Sequence, residues 1–418
     1  MDLHTMARSI GTWGLGVGVV VLGAAAESVA QSDWTLHQVT ALPPSGSWQL
    51  LAPTVSGNGS LVACISDVDL GGQNPDGGFE AFLVDVRTGG VTALTDGDGD
   101  NISGLPPVID DSGATVAFAL NTVASPNLAL YLWRGGVGLT KLADHVYPID
   151  MSGDGRWIAV HTSANPTGGN PDGNLEVMLY DVQSDAFTQV TDTVGAVYQS
   201  HAVAVDDTGT RVLLRSNADL GGLNPGGLYA LFLWQAGQPS PFSVVLDAAN
   251  AGVDYVSASD DLGRVAAVGP LDLTGGNPDG SWEVFLGDLS GPTFTQLTDT
   301  TGSTWDKSTA MNGRGDRVLI HTHVDLTGSN PDGSSELFLW EASAPGLRQI
   351  TAFADQTATV YWTFAVDGGG GRVVFRGLGD LVPGGDPDGS GEYYVLVEGE
   401  VFYDGFETGD AGAWEVSP

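Results

Sequence analysis

A chain of 418 residues with 61 glycines and few helix-favouring runs reads as all-β. Its 14 Lys plus Arg against 51 Asp plus Glu leave a formal charge of −37, which repels phosphate backbones and anionic lipid and so excludes nucleic acid and membrane-surface partners, leaving cationic partners or solubility alone as the reason for the acidity. The single cysteine, Cys64, excludes an internal disulfide and reads as a buried small hydrophobe.

In chain order, Arg8 precedes an apolar stretch from Ile10 to Ala26, and Ser28-Val29-Ala30 offers small residues before Gln31. This layout predicts a secretory signal peptide over residues 1–30. The alternative, a membrane anchor, wants a longer and less glycine-rich stretch. The expectation is an exported mature chain, periplasmic or at the cell surface, that is a monomer and not an integral membrane protein after cleavage. Trp34 to Ala41 (WTLHQVTA) then reads as a strand.

From there the chain repeats itself. Asn-Pro-Asp-Gly occurs at Asn74, Asn170, Asn277 and Asn330, with variants at Asn224 (Asn-Pro-Gly-Gly) and Asp386 (Asp-Pro-Asp-Gly). The steps are 96, 54, 53, 53 and 56 residues, so the first spans two units, one of them lacking the loop. Each unit holds four short β-rich runs, and the third alternates as in Glu336, Phe338 and Trp340 against Leu337 and Leu339. Four strands per unit is a propeller blade. First strands begin near Pro53, Pro107, Pro148, Ala202, Val256, Ser308 and Thr363. The fold class is therefore all-β, a seven-bladed β-propeller of four-stranded antiparallel blades over residues 31–400.

The fourth strands carry a signature: VTALTD, LTKLAD, FTQVTD, FSVVLD, FTQLTD and RQITA in blades one to six. Blade seven has only GEVFYD, whereas WTLHQVTA at the start of the chain matches better. A ring must close, so residues 34–41 are expected to complete blade seven.

Turns such as Ser152-Gly-Asp-Gly155, followed by a β run, a polar loop, an aromatic strand and a Gln-Leu-Thr strand, resemble the TolB-like propeller repeat family over residues 34–400. That resemblance implies the propeller fold; such propellers serve as binding scaffolds and as domains of enzymes, so the ligand stays open, and a protein, a cell-envelope glycan or calcium alone is compatible with the loops. A weaker resemblance, in blade number and in His161, His201 and His321, is to propellers of the oligogalacturonate lyase type. It implies the alternative of a metal-dependent polysaccharide lyase or glycoside-active enzyme, with no catalytic role assigned to any residue here. Residues 401–418 (Asp404-Gly-Phe-Glu-Thr-Gly-Asp410, then Trp414) resemble a short ending of exported bacterial proteins; a final strand and cap is the other reading.

Two sets of residues carry candidate chemistry. The repeated loop gathers Asp325, Asn330, Asp332 and Glu336, and again Asp69, Asn74, Asp76 and Glu80, then Asp272, Asn277, Asp279 and Glu283, and Asp380, Asp386, Asp388 and Glu392. Calcium takes six to eight hard oxygens of this kind, although the spacing is not that of an EF-hand. Turn chemistry accounts for the same loop without a metal, since Asn, Pro, Asp and Gly each suit one position of a tight turn. Second, aligned second strands bring His161, Arg215, His321 and Arg376 into one column, with His323 two residues beyond His321. These groups suit an anionic ligand or, through the three histidines, a transition metal; histidines packed between blades are the structural alternative. No Gly-x-Ser-x-Gly, His-Glu-x-x-His, Cys-x-x-Cys or phosphate-binding glycine loop is present, and the expectation is a protein that is not an enzyme.

Overall fold

The computed structural model describes residues 33–40, 52–96, 101–102, 105–122, 125–195, 197–247, 253, 255–291, 293–302, 306–353, 359–382 and 391–399. The expected signal peptide and C-terminal tail lie outside them. Seven antiparallel sheets make seven blades, each inner strand leading outward through three more. Blade five shows the plan: Tyr255–Ala258, Arg264–Gly269, Glu283–Asp288 and Thr293–Gln296 pair in sequence order. Two single 3-10 turns, Leu70–Gly72 and Leu220–Gly222, are the helical pieces among the described residues, and no helix there is long and apolar enough to cross a membrane.

Ring closure follows the sequence reading. Trp34–Gln38 pairs antiparallel with Gly391–Glu398, Trp34 opposite Glu398 and Gln38 opposite Tyr394, and Val39 N–H adds a bond to the Tyr393 carbonyl at 2.8 Å. Arg348 of blade six fastens this seam. Its guanidinium reaches Asp33 at 2.7 Å and Glu398 at 3.0 Å and lies over the Trp34 ring.

Blade two departs from the plan, as its missing loop requires. Thr115–Thr122 and Ser125–Arg134 form a long hairpin, and the inner position is shared by Asn101–Ile102 and Val108–Ile109, both paired with Thr115–Thr122.

The core consists of wedges between neighbouring blades. Second and third strands alternate side chains to both faces, and both faces are covered, so they read as nearly continuous apolar runs. Val62, Cys64, Phe82 and Val84 of blade one, for example, pack on Val374, Tyr393 and Val395 of blade seven. Burial pushes the Cys64 thiol up to about 12, which leaves it an unreactive hydrophobe as expected.

The face carrying the first-to-second strand turns is laced by hydrogen bonds that pass from blade to blade. Asn58 N–H donates to Asp111 O, Asp111 N–H to Gly153 O, Asp207 N–H to Asp260 O, Asp260 N–H to Gly313 O and Gly368 N–H to Gly57 O, at 2.9–3.0 Å. Between blades three and four a side chain takes over, with Gly153 N–H donating to Asp207 Oδ1 at 2.9 Å. The turns approach so closely that a Cβ on Gly313 would stand 1.9 Å from an Asp260 oxygen, which explains glycine there. Arginines that open the second strands add clips: Arg211 to Asp261 O, Arg264 to Gly315 O and Arg317 to Gly370 O, each 2.9 Å.

Candidate functional site

The repeated loops spend most of their polar atoms on themselves, although the buried Oδ1 atoms of Asn74 and Asn170 accept no hydrogen bond among the described residues. The N–H of Asn74, Asn224, Asn277 and Asn330 donates to Asp69, Asp219, Asp272 and Asp325 five residues earlier, at 2.6–3.0 Å. Each Asn side chain then donates to carbonyls on both limbs of the loop, as Asn277 does to Leu271 O and Ser281 O at 2.8 and 2.7 Å. Asp76, Asp279 and Asp332 accept the backbone N–H two residues on, which is an Asx turn. The Asn330 N–H holds the Asp325 carboxyl below the usual carboxylate range.

The acidic residue at the head of each third strand points inward. Glu80, Glu176, Glu283, Glu336 and Glu392 are buried. They accept the hydroxyls of Thr95, Thr191, Thr298, Thr351 and Thr40, the threonines of the fourth-strand signature. Each hydroxyl in turn accepts the N–H of the residue after the glutamate, Ala81, Val177, Val284, Leu337 and Tyr393, at 2.9–3.0 Å. Blades two and four lack both partners together: Ala129 stands with Ala143, and Ala230 with Leu246. A buried carboxylate without its donors is costly, so the pair is kept or lost as a unit. These glutamates are latches between third and fourth strands. Among the described residues no three His, Cys, Asp or Glu side chains stand together as a metal site; Asp380 and Glu392 fall within that set, while Asp386 and Asp388 lie outside the described residues.

The column of basic residues divides into separate groups. His321 donates Nε2–H to Ser335 Oγ at 2.6 Å, because that hydroxyl's own proton goes to Val360 O at 3.2 Å. The ring is buried, which lowers its pKa to about 4, and it stands edge-on to His323 at 5.8 Å. His323 N–H donates to Asp306 at 3.1 Å. Arg376 lies across from Tyr393 and against Gly391 in blade seven. The expectation that His161 joins His321 and His323 fails, because they belong to blades three and six and each has other aromatic neighbours.

His161 and Arg215 do converge. A cavity of about 450 Å³ opens on the loop face against the inner strands of blades three to five, lined by His161, His201, Arg215 and Tyr229 over Ile149 and Val256. His161 meets His201 edge-on at 5.4 Å, and Arg215 lies 4.5 Å over the Tyr229 ring. Burial, and then His201, lowers the His161 pKa to about 4; burial and the Arg215 charge lower that of His201. At neutral pH the formal charge of this cavity is the guanidinium. Arg156, Arg317 and Arg348 each pair with a carboxylate, whereas Arg215 makes no ion pair with a described residue. His201 and Tyr229 escape a sequence alignment of second strands because they come from the next inner strand and the next loop.

On the opposite face the turn carboxylates crowd. Burial, followed by Asp207, raises Asp260 to about 6, and burial raises Asp111 with Asp207 next in weight. Asp150, half-buried beneath them, is raised by desolvation to about 7 although Val205 N–H donates to it at 2.8 Å.

No family model and no curated protein matches the chain. Solved structures do. An oligogalacturonate lyase in complex with manganese superposes with a TM-score of 0.57 at 13% identity, over 93% of this chain and 98% of its own. The β-propeller domain of the trilobed protease from Pyrococcus furiosus, described as having an open velcro topology, gives 0.55 at 11% identity, over 85% and 99%. TolB from Acinetobacter baumannii gives 0.43 at 14% identity; 72% of this chain is covered and 63% of that one. What the lyase and protease likenesses establish is the propeller fold, which this chain closes with the strand Trp34–Gln38.

Proposed function

We propose that the chain is an exported, non-enzymatic propeller that binds an anionic group of a protein or of a cell-envelope glycan through the cavity between blades three and five. The observation that carries this reading is Arg215. In a chain of charge −37, a guanidinium without a carboxylate partner among the described residues is stacked on Tyr229 at the mouth of a cavity. Two neutral histidines beside it can donate or accept, and apolar walls strengthen any charge-assisted bond made there. The test is calorimetric titration of the full chain with uronic-acid oligosaccharides and with their neutral counterparts. Binding confined to the acidic probes, and lost in Arg215→Gln, supports the reading; equal binding of neutral probes, or acidic binding untouched by Arg215→Gln, sinks it.

The lyase alternative draws support from the two histidines and the arginine meeting in one cavity on a fold shared with a manganese-bound oligogalacturonate lyase. Incubation with polygalacturonate and manganese tests it by the ultraviolet absorbance of unsaturated product ends.

A further inference from the structure

Blade four breaks the repeat where the fold does not ask it to. Its loop keeps the shared geometry: Gly221 and Gly222 take φ of 67° and 79° as Gly71 and Gly72 take 65° and 72°, and Asn224 makes the same bonds to Asp219, Ala218 O and Leu228 O. Yet two acids of the other loops are gone, with Gly226 in place of the second Asp and Ala230 in place of the Glu, while Asp219 remains. Two leucines have entered instead. Leu223 stands where other loops carry Gln73, Gly169, Gly276 and Ser329, and Leu228 where they carry Gly78, Asn174, Ser281 and Ser334. They are 44% and 56% exposed.

The connector from blade three to blade four changes in the same sense. Val194 and Val197 occupy the positions of Thr301 and Thr304 in the connector after blade five, and they are 82% and 74% exposed. Hydrogen bonds hold this connector to blade four: Asn217 Nδ2 donates to Val197 O at 3.0 Å, Gln199 N–H to Asn217 Oδ1 at 2.7 Å, and the Tyr229 hydroxyl to Gln199 at 3.1 Å. Tyr229 is the ring under Arg215. Exposed apolar side chains therefore stand in the loop and connector next to the arginine cavity, Leu228 adjoining Tyr229 and Val197 tied through its carbonyl to Asn217, in a loop that has lost two acids and keeps Asp219. Asp172, on the blade-three side, is occupied by Gly195 N–H at 2.7 Å.

We infer that this sector is a protein-docking surface for an acidic, apolar-flanked polypeptide segment, which places a carboxylate on Arg215 and apolar side chains on Val194, Val197, Leu223 and Leu228. The inference rests on the reading of the cavity as an anion site and narrows it to a polypeptide. Charge decides between occupants. A second copy brings a further charge of −37 and is repelled at long range far more strongly than a short segment bearing one carboxylate, and a purely apolar partner leaves the half-buried guanidinium without a counter-charge. A carboxylate flanked by apolar residues satisfies both halves, with a central charged anchor ringed by apolar contacts that exclude water.

The test pans a displayed random-peptide library on the immobilised full chain and measures the selected synthetic peptides by fluorescence polarisation. The variants are Leu223→Ser with Leu228→Ser, Val194→Thr with Val197→Thr, and Arg215→Gln. Selected peptides are expected to carry Asp, Glu or a free C-terminal carboxylate beside apolar residues. The leucine pair and the arginine variant should each weaken binding about tenfold or more, with unchanged thermal midpoints for the surface pairs. Peptides without a carboxylate, or binding untouched by the leucine pair, overturn the inference. If no peptide is selected while uronate probes still bind in an Arg215-dependent way, the anion site stands and the polypeptide partner is refuted.

Discussion

Replacing the latch of blade three by the pair found in blade four tests whether glutamate and threonine form one unit. Glu176 accepts the Thr191 hydroxyl, Thr193 N–H at 2.7 Å and the Thr193 hydroxyl at 2.5 Å, and Val177 N–H donates to Thr191 at 2.9 Å. Glu176→Ala strips a buried acceptor from these donors; at about 1–3 kcal/mol for each group left unsatisfied, the loss is about 4 kcal/mol. Thr191→Leu leaves Val177 N–H without its acceptor and the carboxylate short of a donor, a loss of about 3 kcal/mol. The double variant copies Ala230 and Leu246, where strand pairing extends directly to Leu231 opposite Leu246. It should cost about 4 kcal/mol rather than the sum of about 7, a coupling of about 3 kcal/mol. Urea unfolding of the four proteins measures this. An additive double variant, with coupling below about 0.5 kcal/mol, would refute the claim that the two residues are kept or lost together.

Further outcomes follow from other groups. Asp150, Asp260 and Asp111 have folded pKa values raised above the ordinary 3.8, so the native state holds more protons than the unfolded chain between about pH 4 and 7. Their contribution to stability is present below about pH 4 and is lost as pH rises toward 7, whereas the lowered pKa values of His161, His201 and His321 act in the opposite sense, so the carboxyl contribution is read as the difference between the parent and a variant. Asp150→Asn removes up to about 4 kcal/mol of that slope, and an unchanged slope would count against this carboxyl as its source. A bound anion favours protonated His201 and His161, so binding takes up protons and should tighten from pH 7.5 to 5.5; Arg215-dependent titrations at several pH values check the sign. Thermal melts in chelator and in millimolar calcium should superimpose, because the loop carboxylates already accept their own backbone; a saturable rise specific to calcium restores the loops as cation sites. Leu262 holds φ of +47° where equivalent turns have Gly155 and Gly209 at 72° and 65°. Leu262→Gly relieves about 1 kcal/mol of strain but empties a buried site, for a net loss of about 1–2 kcal/mol in urea unfolding.

Much of the architecture was legible because the repeat is nearly regular. The fourth-strand signature placed WTLHQVTA in blade seven, and pairing of Trp34–Gln38 with Gly391–Glu398 agrees. The Asn-Pro-Asp-Gly loops were legible as turns for the same reason. The latch was less so: Glu176 and Thr191 sit in different strands, and only their joint absence from blades two and four hints that they touch. The cavity was half legible. His161 and Arg215 share an aligned column, but His201 and Tyr229 arrive from other strands, and pairing across blades has no fixed spacing in sequence. Nor does a sequence reveal that Val194 and Leu228 stay exposed, since valine and leucine are ordinarily buried.

The seam between Trp34–Gln38 and Gly391–Glu398 also orders events in time. The first strand synthesised is among the last to find its partner, since Glu398 emerges more than 360 residues after Trp34. Meeting across an unfolded chain of that length costs about 5 kcal/mol of loop entropy; after six blades have stacked, the two edges are already side by side and little of that penalty remains. The clasp is therefore made last. In the finished ring it is also the place to open first, because parting it exposes one strand and two edges, whereas parting any other blade must break a continuous chain of hairpins. A ribosome that stops short of residue 391 releases a ring with a permanent gap and an unpaired strand, a species primed to join its neighbours edge to edge.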